Sequence, residues 1–293
     1  ATYLQPSKVV VGRDMRLSSP AVCAALMAGL TQQKVDIIDL GMVSTDQYYY
    51  ACATLDLPGL MVTASHNPPE YNGIKMVLGG DSFFGEDIQA LGARVAAGEF
   101  TSGQGTTESQ DLMDQYVARL AADHPGASNM RVAWDPGNGA AGEALVKLIA
   151  KLPGEHFVIN AEIDGTFPNH HPDPTVEKNL AQLKQLVADN NCDIGIGFDG
   201  GRMLYGDQIL VILAREILSR NAGAPIIADV KASQVFFDEV TRAGGNPILW
   251  KAGHSLIRTK MKEIEAPLAG EMSGHIFFAD GYYGFDDALY AAV

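Results

Sequence analysis

Short apolar runs alternate with longer segments of helical periodicity from one end of the chain to the other. Residues 7–12 (Ser-Lys-Val-Val-Val-Gly) predict a strand. Residues 19–30, opened by Ser-Ser-Pro, predict a helix, because proline suits a first turn whose N–H needs no partner. Strands are predicted at 35–40 and 59–62, the second opening into 63–73, a stretch crowded with turn residues, before a helix over 84–97. A second round runs from a helix at 111–122 through a strand at 130–134 and a glycine-rich turn to a helix at 142–152. It continues with a strand at 156–161, a Pro/His/Asn/Asp loop over 165–175, a helix at 176–190 and a strand at 193–198. The third round has helices at 207–220, 233–243 and 255–263, strands at 225–230 and 247–250, and a closing segment at 266–278. Such β-α-β alternation predicts an α/β fold. We expect three similar domains, 1–105, 106–202 and 203–293, each a mixed, largely parallel sheet sandwiched by helices.

Composition narrows the functional classes. The 293 residues are 47% hydrophobic and 19% charged, enough apolar material for real cores. Lys plus Arg number 21 and Asp plus Glu 35, so the formal charge is −14. A surface that acidic repels nucleic acid and anionic lipid, and an anionic small substrate has to be met by a local basic pocket. Cys23, Cys52 and Cys192 are odd in number and far apart, which fits neither a disulfide framework nor a Cys-based zinc site. No apolar run reaches the ~18–20 residues of a membrane span, and no signal peptide opens the sequence. The expectation is a cytoplasmic protein, a monomer or weak dimer, with no nucleic-acid or membrane partner.

Function in such sheets gathers in the loops leaving the carboxyl ends of strands. In Thr63-Ala64-Ser65-His66-Asn67-Pro68-Pro69-Glu70-Tyr71-Asn72-Gly73-Ile74-Lys75, an apolar strand ends in a serine beside an imidazole. Asn-Gly then turns the chain so that Lys75 comes back toward the loop, an arrangement suited to covalent catalysis at Ser65 with His66 and Lys75. A surface turn with incidental Ser and His is the bland alternative. Gly137-Asn138-Gly139-Ala140-Ala141-Gly142 follows a strand, precedes a helix and has Glu162 ~20 residues on, as in a dinucleotide fingerprint. Against that reading, Asp135 puts a carboxylate where a pyrophosphate would approach. Asp199-Gly200, at the end of an apolar strand, suits a divalent-metal loop or a turn cap. In the third round, Lys231, Lys251, His254 and His275 supply donors for an anion, and Glu271 and Ser273 are placed to bridge sugar hydroxyls. His170 and His171 with Asp173 read as a rigid proline-rich loop rather than a metal cluster.

On these loops the chain resembles the α-D-phosphohexomutase family, most closely its bacterial phosphomannomutase/phosphoglucomutase branch. Thr63–Lys75 is similar to the phosphoserine loop, DIGIGFDG (193–200) to the strand entering the metal loop, and KAGHSLIRTKM (251–261) to a substrate-touching segment. GEMSGH (270–275) is similar to the sugar-reading loop of enzymes that accept both glucose and mannose phosphates. The resemblance implies reversible transfer of a phosphoryl group between the 1- and 6-hydroxyls of a hexose phosphate. Phosphorylated Ser65 would give its group to the sugar, a hexose 1,6-bisphosphate would reorient, and its other group would return to Ser65. The same resemblance implies Ser65, His66, Lys75, Lys231 and His254 as catalytic, and Glu271, Ser273 and His275 as substrate-binding. Mg²⁺ would be held by Ser65 and Asp199. The domains would then carry the phosphoserine loop (1–105), the metal loop (106–202) and the sugar loop (203–293).

The sequence departs from the family pattern in one informative place. The metal loop of the family reads Asp-Gly-Asp-Gly-Asp-Arg, whereas Asp199-Gly200 runs directly into Gly201-Arg202-Met203, so Arg202 is not equated with the family arginine. On the resemblance, we expect this chain to lack the family's opening Tyr-Asp-Ile-Arg-Gly loop and its fourth, C-terminal domain. Two rivals stand beside the mutase: an NAD(P)-dependent dehydrogenase built on the 137–142 turn, and a phosphosugar-binding protein without catalysis.

Overall fold

The computed structural model describes residues 6–64, 67, 70–78, 81–83, 85–124, 126, 129–171, 176–198 and 206–292. Its contacts divide the chain into two compact units. One comprises Ala1–His124, Pro136–Leu152 and Asn160–Pro172, and the other Pro125–Asp135, Pro153–Ile159 and Asp173–Val293.

In the first unit the chain runs β1 (Lys8–Arg13), α1 (Ser19–Thr31), β2 (Asp36–Met42), α2 (Thr45–Leu55) and β3 (Gly59–Val62). It continues through β4 (Ile74–Leu78), β5 (Asp81–Ser82), α3 (Glu86–Ala96), β6 (Thr107–Ser109) and α4 (Met113–Ala122). The sheet order is β5-β4-β3-β1-β2-β6. The β1, β2, β3 and β6 pairings are parallel, and β4 and β5 join as an antiparallel edge. Both faces of β1 are covered, so Val9, Val10 and Val11 are all buried and the strand reads as an unbroken apolar run. One face packs on α1 through Val9, Val11, Cys23, Leu30 and Ile37.

The α2 helix is absent from the sequence expectations. Tyr48, Tyr49, Tyr50, Ala51 and Cys52 are all buried, so the segment shows no polar stripe from which a helical period could be read. Its start is capped by Ser44, whose hydroxyl accepts from the Gln47 N–H at 3.2 Å. At Gly59 any Cβ would lie 2.4 Å from Cys52 Sγ and 2.6 Å from Tyr48, so glycine alone admits this approach of α2 to β3.

In the second unit, β7 (Arg131–Asp135) is flanked in parallel by β8 (Glu155–Val158) and β9 (Ile194–Gly197). The helix α5 (Gly142–Ile149), between β7 and β8 in sequence, groups with the first unit. The expected helix over 176–190 is a 3-10 turn, Glu177–Leu180, running into α6 (Ala181–Asp189). Trp134 and Phe198 stack at 6.2 Å, and the Phe198 N–H donates to the Asp135 carbonyl at 2.9 Å, fixing the exit of β9.

The rest of the second unit runs α7 (Gly206–Arg220), β10 (Pro225–Asp229), α8 (Gln234–Arg242), β11 (Asn246–Trp250) and α9 (His254–Ile264). It ends in β12 (Leu268–Gly270), β13 (Ile276–Phe278), β14 (Phe285–Asp286) and α10 (Ala288–Ala291). The sheet order is β11-β10-β12-β13-β14. The β11-β10-β12 core is parallel, and β13 and β14 add antiparallel. Residues 266–278, expected as one closing segment, thus form two strands joined by the 271–275 turn. Ile227, Ile257, Met261, Ala269 and Phe277 seal α9 against this sheet. Among the described residues no helix is long and apolar enough to cross a membrane.

Candidate active site

The carboxyl ends of β10, β11 and β12 bring one group of polar side chains together in the second unit. The buried Asp229 closes β10, and its Oδ1 accepts from the N–H groups of Lys231 at 3.2 Å and Met272 at 3.3 Å. One carboxylate therefore ties the exit of β10 to the 271–275 turn. Gly253, at φ +131°, turns the chain after β11 so that α9 begins at His254. The turn itself is closed by the Glu271 N–H on the His275 carbonyl at 2.8 Å and by the Gly274 N–H on the Glu271 carbonyl at 2.9 Å.

Within this frame, His275 Nδ1 sits 2.6 Å from Asp286 Oδ2, and His254 Nε2 lies 3.9 Å from the same oxygen. The two imidazoles meet edge-on with ring centres 5.9 Å apart. One wholly buried carboxylate, on β14, thus orients His275 and lies near His254 of a different element. Glu271 is buried too, and burial pushes its carboxyl above the usual carboxylate range. Asp286 and Asp229 add to that rise, whereas His275 and the Gly253 N–H oppose it. Its Oε1 is buried without a hydrogen-bond partner among the described residues. A buried carboxylate oxygen left in that state is costly, and a ligand hydroxyl is the kind of group that satisfies it. Ser273 and Lys231 are exposed beside it.

Of the residues singled out in the sequence, the structure therefore gathers Lys231, His254, Glu271, Ser273 and His275. Lys75 lies in the first unit, half-buried on β4 opposite Met61 of β3. It belongs to a strand that begins once the turn is complete, and the turn is closed at its base by the Thr63 N–H on the Gly73 carbonyl at 3.0 Å. Ser65, His66 and Asp199 lie outside the described residues. Among the described residues no group of three His, Cys, Asp or Glu side chains could hold a metal ion. Asp229 and Asp286 were not singled out. Each ends or forms a short apolar strand, and a carboxylate at such a strand end was the available signal.

The glycine-rich turn at 137–142 is a packing joint. Asn138 adopts φ +59°, its N–H donates to the Asn160 carbonyl at 2.9 Å, and its side-chain amide donates to the Glu162 carbonyl at 2.8 Å. Its Oδ1 accepts from Asn169 at 2.9 Å. A Cβ on Gly142 would lie 2.2 Å from the Ala161 carbonyl oxygen. The turn is thus occupied by residues 160–169, where a dinucleotide pyrophosphate would need open backbone N–H groups. In the neighbouring loop, His170 bonds to the Asn160 amide at 3.4 Å and the His171 carbonyl at 3.0 Å.

Comparison with known proteins gives the family. Profiles of the phosphoglucomutase/phosphomannomutase α/β/α domains I, II and III match residues 1–102, 113–204 and 205–293. The chain belongs to the α-D-phosphohexomutase family. It is 43% identical to the phosphomannomutase/phosphoglucomutase of Pseudomonas aeruginosa over 97% of its own length and 64% of the relative's. To the phosphoglucomutase of Neisseria meningitidis serogroup A it is 39% identical, over 97% of this chain and 65% of that protein. A solved phosphoglucomutase/phosphomannomutase family protein from Burkholderia thailandensis superposes with a TM-score of 0.92 at 42% identity. That superposition covers 98% of this chain and 67% of the solved one. The chain therefore spans about two thirds of the length of the phosphohexomutases it matches. The match to these mutases, with the occupied 137–142 turn, speaks against the dehydrogenase.

Proposed function

We propose that the protein catalyses reversible phosphoryl transfer between the 1- and 6-hydroxyls of glucose and mannose phosphates. Phosphorylated Ser65 donates to a sugar hydroxyl: the Ser65 Oγ–P bond breaks and a P–O(sugar) bond forms. The hydroxyl proton passes to a base of the site, and the serine oxygen is reprotonated. The hexose 1,6-bisphosphate turns over and returns its other phosphoryl group to Ser65. The observation that carries the reading is the buried Glu271 Oε1, without a hydrogen-bond partner among the described residues, in a turn framed by Lys231, His254 and His275. Glu271 accepts from, and Ser273 bonds to, adjacent sugar hydroxyls present in either pose. Lys231, His254 and His275 offset phosphate charge and move protons, as do His66 and Lys75.

Asp199 and phosphorylated Ser65 would hold Mg²⁺. Phe198, buried and donating its N–H to the Asp135 carbonyl, anchors the chain up to that position, and a carboxylate oxygen is the donor type this ion takes. When bound, the ion neutralises phosphoryl charge. We further place the domain boundaries at 105 and 202 and the protein in the cytoplasm, as a monomer or weak dimer. The test is conversion of glucose 1-phosphate and mannose 1-phosphate to their 6-phosphates by the full-length protein, with and without a chelator. Mg²⁺-dependent turnover of both, abolished in Ser65→Ala, is expected. Binding of the sugar phosphates without turnover would leave the phosphosugar-binding rival in place.

A further inference from the structure

The segment that carries Ser65 is held by a side chain from another part of the first unit. Arg16, 1% exposed, lies in the turn between β1 and α1. Its Nη2 donates to the Asn67 carbonyl at 2.7 Å and its Nη1 to the Tyr71 carbonyl at 3.2 Å. One planar guanidinium thus grips the chain at two points, Asn67 and Tyr71. The guanidinium is itself fixed. Its Nε lies 3.3 Å from Asp14 Oδ2, and the Arg16 N–H donates to Asp14 Oδ1 at 3.0 Å. Asp14 in turn is pinned by its N–H on the Val62 carbonyl at 3.0 Å and by the Ser19 hydroxyl. Asn72 closes the other end, donating to Ser18 Oγ at 2.8 Å and Ser19 Oγ at 2.9 Å.

Burying an ion pair is a poor route to stability, since desolvation offsets most of the attraction. What a buried guanidinium provides better than any other side chain is a rigid fork with fixed donor directions. We propose that Arg16 is a positioning residue for phosphoryl transfer. Backed by Asp14, it pins the chain at Asn67 and Tyr71, two and six residues beyond Ser65, and so sets how fast Ser65 exchanges its phosphoryl group. The proposal rests on the reading of Ser65 as the phosphoryl carrier. Misplacing a reacting group by about 1 Å costs on the order of a hundredfold in rate.

The experiment uses dephosphorylated full-length protein and measures the rate at which glucose 1,6-bisphosphate phosphorylates Ser65. Alongside it run the KM for glucose 1-phosphate, the thermal midpoint and amide hydrogen exchange. Arg16→Lys keeps the charge beside Asp14 but loses the fork. It should slow Ser65 phosphorylation by roughly a hundredfold while KM stays within about twofold, because the loop is displaced and the sugar-reading residues are not. Exchange should quicken at the Thr63 and Asn67 amides, which close the loop, and stay unchanged in β1 and α1. Asn72→Ala, which leaves Arg16 intact and touches only the half-buried end of the loop, should give the same pattern with a loss on the order of tenfold. It decides the matter if Arg16→Lys does not fold. Unchanged phosphorylation in the folded variants overturns the proposal, as does a rate loss matched by faster exchange throughout the unit. Wild-type protein that takes no phosphoryl group at Ser65 overturns the underlying reading instead.

Discussion

Two glycine-bearing turns, at 137–142 in the first unit and 270–275 in the second, differ in what their polar groups do. In the first, Asn138 uses its N–H, its side-chain amide and its side-chain oxygen on residues 160, 162 and 169 of the same unit. In the second, Glu271 keeps a buried oxygen without a partner among the described residues, and the His275 ring is aimed by Asp286. A turn whose donors and acceptors satisfy one another is architecture. A turn that holds a buried carboxyl oxygen in readiness, beside an imidazole aimed by a buried carboxylate, is built for something that arrives from outside.

Glu271→Ala should lower kcat/KM for glucose 1-phosphate and mannose 1-phosphate together, by on the order of a hundredfold or more, given the ~1.5–3 kcal/mol of each charged hydrogen bond lost. Steady-state assays with both sugars check this, and a loss confined to one sugar would contradict a shared reading turn. At the other turn, Gly142→Ala drives a methyl into the Ala161 carbonyl and should cost about 1–3 kcal/mol of stability, read as a lower denaturation midpoint. Its ratio of activity on the two sugars should not move. A changed sugar preference in that variant would mean that the 137–142 turn is more than architecture.

A finer test uses pH. Burial raises the Glu271 carboxyl in the folded state, so the folded protein favours its neutral form. That contribution is full below the unfolded value of about 4.3 and is lost as pH rises through the folded value. Glu271→Gln stays neutral throughout. Without sugar phosphate, its thermal midpoint should match wild type in acid and exceed it increasingly toward neutral pH. A gap that narrows with rising pH would show that Glu271 is stabilised in its charged form by the protein alone. The smallest effect expected is none at all: NADH added to about millimolar levels should leave tryptophan fluorescence and the thermal midpoint unchanged, because residues 160–169 fill the turn.

How legible these features are in the sequence follows from the range of the interactions that make them. The β3 strand, 59–62, is bounded by local turn signals on both sides and is read directly. The α2 helix is not, because burial on all sides erases its period. The β4 strand is hidden in another way, as a short strand next to the sheet edge with Lys75 among its residues. Glu271, Ser273 and His275 are contiguous, so their grouping is visible in the letters. Asp286 joins His275 and His254 only through the β13–β14 pairing and the start of α9. Arg16 reaches Asn67 and Tyr71 across more than 50 residues of chain, a link no local pattern announces. The GNGAAG string misleads for a related reason: what excludes a dinucleotide there is the distant segment packed on it.

In the proposed reaction Ser65 carries the transferred phosphoryl group. The most direct test is phosphopeptide mapping of full-length protein after incubation with glucose 1,6-bisphosphate and then with excess glucose 1-phosphate. A single phosphoryl group should appear on Ser65 in the first step and leave for the sugar in the second. A phosphoryl group on another residue, or one on Ser65 that glucose 1-phosphate never removes, would contradict the account.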